Sequence, residues 1–312
     1  MNPNRISPIT SLLDEVFYKS SIADMRNFYF SNTRTLENWL LFSDYYLDNK
    51  KPNNVITFTA LPYVINLMEL QKTIKQVAPK DIKHTKNISS DFVELINSLP
   101  VINIQFIFEQ KKYFIWDSGY DVQSSMLEYI QILAIYVDYW RSSEPERSTR
   151  LNKISKNLRC LENLLKSGKK LKLIAAMFLI SLLGGYVGSL LCRETNLSSL
   201  LWFADRDSTN EICHNLIRDF FQITLIDITK KNIQFSFTTA NSNSDEWYSE
   251  ITRIPDYLTG AVSSFDFNKN LVIDEKSAQM LNLHFRINIK NTFLYKLKID
   301  GESMRIQRMI IM

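Results

Sequence analysis

Nineteen consecutive residues, Leu173 to Leu191 (LIAAMFLISLLGGYVGSLL), carry no charge, and this stretch restricts the fold more than any other part of the chain. Lys169, Lys170 and Lys172 precede it, and Arg193 and Glu194 follow it. A run of this length either crosses a bilayer or lies buried on all sides in a large core. Ala175, Ala176, Ser181, Gly184, Gly185, Gly188 and Ser189 give it the small surfaces that close helix packing needs. It stands alone in mid-chain, between sequences that read as two halves of one sheet. A buried core helix is therefore expected, with a membrane span as the competing reading.

Composition supports a folded core. With 312 residues and 45% hydrophobic content the chain is far too apolar to be disordered. Lys+Arg 37 against Asp+Glu 33 leaves a net charge of +4, too mild to mark a basic nucleic-acid coat. Cys160, Cys192 and Cys213 have no paired spacing, and His84, His214 and His284 are scattered, so disulfide scaffolds and zinc sites are not expected. The N-terminus shows no apolar run of signal-peptide length and reads as a capped helix after Pro8, so a reducing cytoplasm is the expected compartment. Seven glycines amount to about 2% of the chain, against about 7% in globular proteins generally. Neither GxGxxG nor GxxxxGK[ST] occurs, which removes the usual signatures of dinucleotide and P-loop binding.

Along the chain, Trp39 to Leu47 and Val55 to Leu61 read as a strand pair, Asn66 to Val77 as a helix stopped by Pro79, and Lys80 to Ser90 as a polar connector. A short helix through Leu99, capped by Ser90 or Asp91, leads to a third strand over Pro100 to Gln110. Ser124 to Trp140, Leu151 to Leu165 and Lys170 to Cys192 are helical. A strand at Leu200 to Ala204 runs into Asp205, and Ser208 opens a further helix. Ile223 to Ile228 and Ile233 to Thr238 read as strands, Trp247 to Phe265 as a helix, and Glu275 to Leu283 as a short helix before mixed strands. The expected organisation is one α/β domain over 1–312, with an N-terminal helix in 1–30, a helical insertion over 124–192 and a C-terminal extension over 266–312.

Chemistry rests on the carboxylates. Asp44 lies at the end of the first strand, Asp205 closes a strand far later, and Asp256 sits in a late helix between apolar neighbours. An aspartate among core-forming residues is costly unless it is paired, caps a helix or binds a metal. Two-metal phosphodiester hydrolysis needs several hard oxygen ligands converging from separate elements, and these three aspartates supply one each. Cys213 and His214, adjacent on a predicted helix, cannot pair with each other and are set aside as a nucleophile.

These residues resemble an uncharacterised superfamily of RNase H-like proteins whose first strand usually ends in Asp-Glu-Ser-Gly. The resemblance spans about 38–265. Phe-Ser-Asp44-Tyr-Tyr-Leu-Asp matches the first-strand aspartate, although Tyr45, Tyr46 and Leu47 replace the Glu, Ser and Gly. Asp81-Ile82-Lys83 matches a short connector, Trp202-Phe203-Ala204-Asp205-Arg206 matches a strand ending in Asp-Arg, and Pro255-Asp256-Tyr257-Leu258-Thr259-Gly260-Ala261 matches a late helix. The resemblance implies a central five-stranded mixed sheet flanked by helices, with acidic residues over its first and fourth strands. It also implies cleavage of DNA or RNA with Mg²⁺ or Mn²⁺, and a role in defence against mobile genetic elements. Asp44, Asp205 and Asp256 are then the catalytic metal ligands, with Asp81 or Glu94 as a further acidic ligand and Lys83 and Arg206 at the substrate phosphates. The alternative is a catalytically silent scaffold that oligomerises or binds a partner protein through helices 124–192.

Overall fold

The computed structural model describes residues 8–48, 50–108, 122–143, 146, 148–205, 207–239, 246, 248–286, 290–300 and 303–311. The chain opens with α1 (Pro8–Ser20), α2 (Ile22–Met25), a π-helical turn (Arg26–Phe30) and α3 (Ser31–Thr33). The hairpin β1 (Asn38–Tyr46) and β2 (Asn54–Pro62) follows, then α4 (Leu67–Val77), a 3-10 turn (Ile82–His84), α5 (Ser90–Ser98) and β3 (Ile102–Phe108). Three long helices come next, α6 (Val122–Ser143), α7 (Ser148–Lys166) and α8 (Leu171–Glu194). The second half holds β4 (Ser199–Ala204), α9 (Ser208–Glu211), α10 (Leu216–Thr229), β5 (Gln234–Thr239) and α11 (Arg253–Ser263). It ends with β6 (Phe265–Asp266), β7 (Leu271–Val272), α12 (Glu275–Met280), a π-helical turn (Leu281–Phe285), β8 (Thr292–Asp300) and β9 (Ser303–Met309).

The main sheet has seven strands in the order β5-β4-β1-β2-β3-β8-β9, not the five expected. β1 pairs antiparallel with β2 and parallel with β4, and β4 pairs parallel with β5. The two additional strands come from the C-terminal extension. All of β3 is buried, so an uncovered edge there would expose an apolar strand to chance pairing. β8 covers that edge in parallel, placing Phe293, Tyr295 and Leu297 in one core and Leu294 in the other. β9 then folds back antiparallel on β8.

Alternation along the strands divides the interior into two cores. Trp39 and Leu41 of β1, with Ile56, Phe58 and Ala60 of β2, face the core shared with α1, α6, α7, α8 and α10. Leu40 and Phe42, with Val55 and Leu61, face the core shared with α4, α5, α11 and α12. Helix α8 is the one described helix long and apolar enough to cross a membrane, and 94% of its most apolar window is buried inside the fold. It packs chiefly on α10, where a Cβ on Gly185 would stand 2.7 Å from both the Phe221 carbonyl oxygen and Thr224 Cβ. Glycine is required at that crossing because the obstructing atom belongs to the backbone.

That contact also explains one misread element. Ile223 to Ile228, expected as a strand on its β-branched composition, forms the second half of α10. Leu216, Ile217, Phe220, Phe221, Thr224 and Leu225 make one continuous helical face, and packing against α8 outweighs local strand propensity. The helix expected over 247–265 begins only at Arg253, and α9 is capped by Asp207 rather than Ser208. Ser89, rather than Ser90 or Asp91, is the N-cap residue of α5, with no side-chain bond. Cys213 and His214, expected on a helix, lie in the turn between α9 and α10.

Candidate functional site

β1 and β4 are adjacent and parallel, and the chain leaves them in opposite directions across the sheet, β1 toward β2 and β3, β4 toward β5. In open α/β sheets the crevice at the carboxyl ends of such a strand pair is the usual ligand position. Phe42 stands opposite Phe203, and their rings stack at 5.1 Å. Two residues further on each chain, with the same alternation, come Asp44 and Asp205. The apolar row of each strand thus ends in a carboxylate on the side covered by α11.

Helix α11 crosses above β1 and β2 and carries Asp256 in its first turn. Asp256 Oδ2 accepts the Ile82 backbone N–H at 2.8 Å, which brings the 78–85 connector down on the helix. Arg253 donates to the Ala78 carbonyl at 2.6 Å, Tyr257 to the Lys80 carbonyl at 2.8 Å and Lys276 to the Ile82 carbonyl at 2.6 Å. Gly260 makes the contact feasible, since a Cβ there would meet Ile82 Cδ1 and Cγ2 at 2.7 Å. Asp81 consequently sits at the N-cap of the 3-10 turn, exposed and without a side-chain capping bond.

Asp44, Asp205 and Asp256 are each raised by burial and by neighbouring carboxylates. Burial raises Asp44 well above the ordinary carboxylate range, and the charges of Asp256 and Asp205 add to the rise. Asp256 is pushed up to about 6 by burial, with Asp81 and Asp205 contributing against the Ile82 hydrogen bond. Asp205, exposed at its surface yet flanked closely enough to lose hydration, is raised by that loss and then by Asp81 and Asp207. Among the described residues no lysine or arginine lies within 4.0 Å of Asp44, Asp205 or Asp256, while Asp81 has Lys83 at 3.8 Å. Lys83 also lowers Asp205 and Asp256, so it stands at the rim of the same cluster.

Among the described residues no three His, Cys, Asp or Glu side chains are close enough as they stand to hold one ion. The donor set nonetheless fits a hard divalent cation in kind and in charge: oxygen ligands only, carrying like charges, three of them without a lysine or arginine within 4.0 Å among the described residues. Glu94 lies exposed on α5 and is not among the groups that perturb the cluster. Arg206 lies outside the described residues.

Four residues, Tyr45, Asp207, Thr259 and Lys51, support the carboxylates without standing out as site residues in the sequence. Tyr45 donates to Asp207 Oδ2, while Asp207 Oδ1 accepts the Thr209 and Asn210 N–H groups at 2.9 and 2.8 Å, tying the ends of β1 and β4 together. Thr259, one turn after Asp256, donates to the Thr57 hydroxyl at 2.7 Å, its hydroxyl standing 3.5 Å from the Asp44 carbonyl. Lys51, from the β1–β2 hairpin, donates to Ser263 Oγ at 3.0 Å and feels the charges of Asp256 and Asp44. The available signals were weak: Thr259 at i+3 from Asp256 and Lys51 in the hairpin that follows Asp44. Compared with protein-family models, curated proteins and solved structures, the chain matches none.

Proposed function

We propose that the protein is a divalent-metal-dependent nuclease with an RNase H-like core, hydrolysing phosphodiester bonds of DNA or RNA. The observation that carries the reading is the approach of Asp44, Asp205, Asp256 and Asp81 from four separate elements at the carboxyl ends of β1 and β4, where burial and the neighbouring negative charges raise Asp44, Asp205 and Asp256. The mixed order β5-β4-β1-β2-β3 supports it, with acidic residues over the first and fourth strands as the resemblance implies. Asp44, Asp205 and Asp256, with Asp81, would hold Mg²⁺ or Mn²⁺. Such ions supply an activated water and neutralise charge on the leaving oxygen of an in-line displacement.

The chain's own residues do the positioning. Asp207 and Tyr45 fix the ends of β1 and β4, the Ile82 N–H orients Asp256, and Thr259, bonded to Thr57, ties α11 to β2 beside Asp44. Lys83, exposed beside Asp81, offers a mobile cation to a backbone phosphate of the substrate, fixing its place without reading its sequence. We place the activity in the cytoplasm, in defence against mobile genetic elements. Incubation with Mg²⁺ or Mn²⁺ and labelled single- and double-stranded DNA and RNA tests the reading. Metal-dependent cleavage lost in Asp205→Asn is expected, and cleavage that survives the substitution unchanged overturns the assigned site.

A second reading, a silent scaffold, has its own observation. Ile132, Ile135, Tyr136 and Tyr139 are exposed on one side of α6, at the spacing of a helix contact face. On that reading the helical layer binds a second copy or a partner protein. Absence of saturable Mn²⁺ binding, together with self-association that is lost in Ile135→Glu, would favour it.

A further inference from the structure

The three cysteines have no spacing that suggests pairing, yet the fold brings two of them together. Cys160 is exposed on α7, Cys213 is buried in the turn after α9, and their Sγ atoms stand 2.9 Å apart across 53 residues of sequence. Both are free thiols. The turn that delivers Cys213 is unusual: Cys213, His214 and Asn215 have φ of 45°, 59° and 63°, and none is glycine. Residues with a Cβ rarely enter this left-handed region, and three in succession require anchoring from outside the turn. Ile212 and Leu216, buried on either side, provide it.

The two thiols differ in a way that suits a redox pair. Burial pushes the Cys213 thiol up, with its neighbour Cys160 adding to the rise, so Cys213 is the slower thiol and reacts with an oxidised Cys160 through its placement 2.9 Å away. Cys160 faces solvent, where an oxidant can reach it. The sulfurs stand 2.9 Å apart, against about 2.05 Å in a disulfide, so each is within reach of the other.

We propose that Cys160 and Cys213 form an oxidative modification site, closing to a reversible disulfide when the chain meets hydrogen peroxide. The Cys160 sulfur attacks one peroxide oxygen, the O–O bond breaks, and the departing hydroxide takes the Cys160 thiol proton as water, leaving a sulfenic acid. The Cys213 sulfur then attacks the Cys160 sulfur, the S–O bond breaks, and the hydroxyl leaves with the Cys213 proton as a second water. Two thiols lose two electrons and two protons, and one peroxide is reduced to two waters. A dithiol reductant reverses the bond by exchange and becomes a disulfide itself. The cross-link ties the helical layer to the segment between α9 and α10, whose first anchor is the Asp207 cap bonded to Tyr45 beside Asp44. The site stands independently of the nuclease reading.

The experiment treats the full chain with hydrogen peroxide, alkylates remaining thiols under denaturing conditions, and maps peptides without reduction. The expected result is loss of two hydrogen atoms in intact mass, one Cys160–Cys213 cross-linked peptide, an alkylated Cys192, and full reversal by dithiothreitol. Cys160→Ser, a change at an exposed position, should leave Cys213 alkylatable after the same treatment. The proposal is overturned by sulfinic acid at Cys160 with Cys213 still alkylatable, by a cross-link to Cys192, or by disulfide-linked dimers through Cys160.

Discussion

On one face of the sheet, β1, β2 and β3 present Trp39, Leu41, Ile56, Phe58, Ile104 and Phe106 to helices α8 and α10, and aromatic stacking such as Trp202 on Phe221 fills the space. On the other face the same strands present Asp44, Thr57, Thr59, Asn103 and Gln105, interleaved with Phe42, Val55 and Ile107. These polar groups are fully buried apart from Asp44, and they bond across the strands and into α11. Gln105 donates to Thr57 at 2.9 Å, Thr59 donates to Asn103 at 2.7 Å, and Asn103 donates to Thr292 at 3.2 Å, which in turn meets His284 at 2.9 Å. Burying polar side chains gains little net stability unless each finds a partner. The first face is predominantly apolar, whereas the second combines its apolar core with a polar layer that ends at the acidic cluster. Burial pushes His284 down to about 3, so that this layer holds a neutral imidazole at neutral pH.

The contrast can be broken at its strongest point first. Asp44→Asn or Asp205→Asn should reduce Mg²⁺-dependent cleavage by at least ~100-fold while leaving the circular dichroism spectrum unchanged, because removing one of several repelling charges does not cost core packing. Unaltered cleavage would show that the polar face is structural. On the opposite face, Gly185→Ala should cost about 2 kcal/mol in urea unfolding, since the new Cβ meets a backbone oxygen that cannot move aside. Its cleavage rate at saturating metal should stay near that of the parent chain. If activity falls with stability intact, the two faces are coupled.

A smaller effect tests the polar layer. Thr57→Val should cost about 1–2 kcal/mol, because Thr259 and Gln105 both lose the oxygen they donate to in a buried setting. Smallest is the pH dependence. Asp256 titrates near 6 in the fold against an ordinary 3.8, so between those values the folded chain binds more protons than the unfolded one. Its contribution to stability is fully present below 3.8 and is lost as pH rises through about 6. The Tm of metal-free protein should therefore gain from this group as pH falls from 7 to 5. Asp256→Asn should flatten that gain, and Mg²⁺ at pH 7 should restore part of it.

Much of this arrangement is legible in the sequence because it depends on local pattern. The apolar, aromatic run at 39–47, the β-branched run at 55–61 and the alternation over 100–110 mark β1, β2 and β3, and the uncharged run at 173–191 marks the buried α8. Asp44 and Asp205 stand out because each interrupts an apolar row at a strand end. What local pattern does not carry is pairing. The C-terminal strands become part of the main sheet because β3 needs an edge partner, and Ile223–Ile228 is helical because Gly185 admits α10. Thr259 and Lys51 gain their place only when α11 crosses the hairpin, and Cys160 meets Cys213 only through a left-handed turn without glycine.

Calorimetric titration of Mn²⁺ into the wild-type chain, with Asp44→Asn and Asp205→Asn run in parallel, addresses the central claim most directly. Saturable binding in the wild type, weakened at least ~10-fold in either variant, is the predicted result. Saturable binding of equal affinity in all three proteins, or none in the wild type, would contradict a cation site at the ends of β1 and β4.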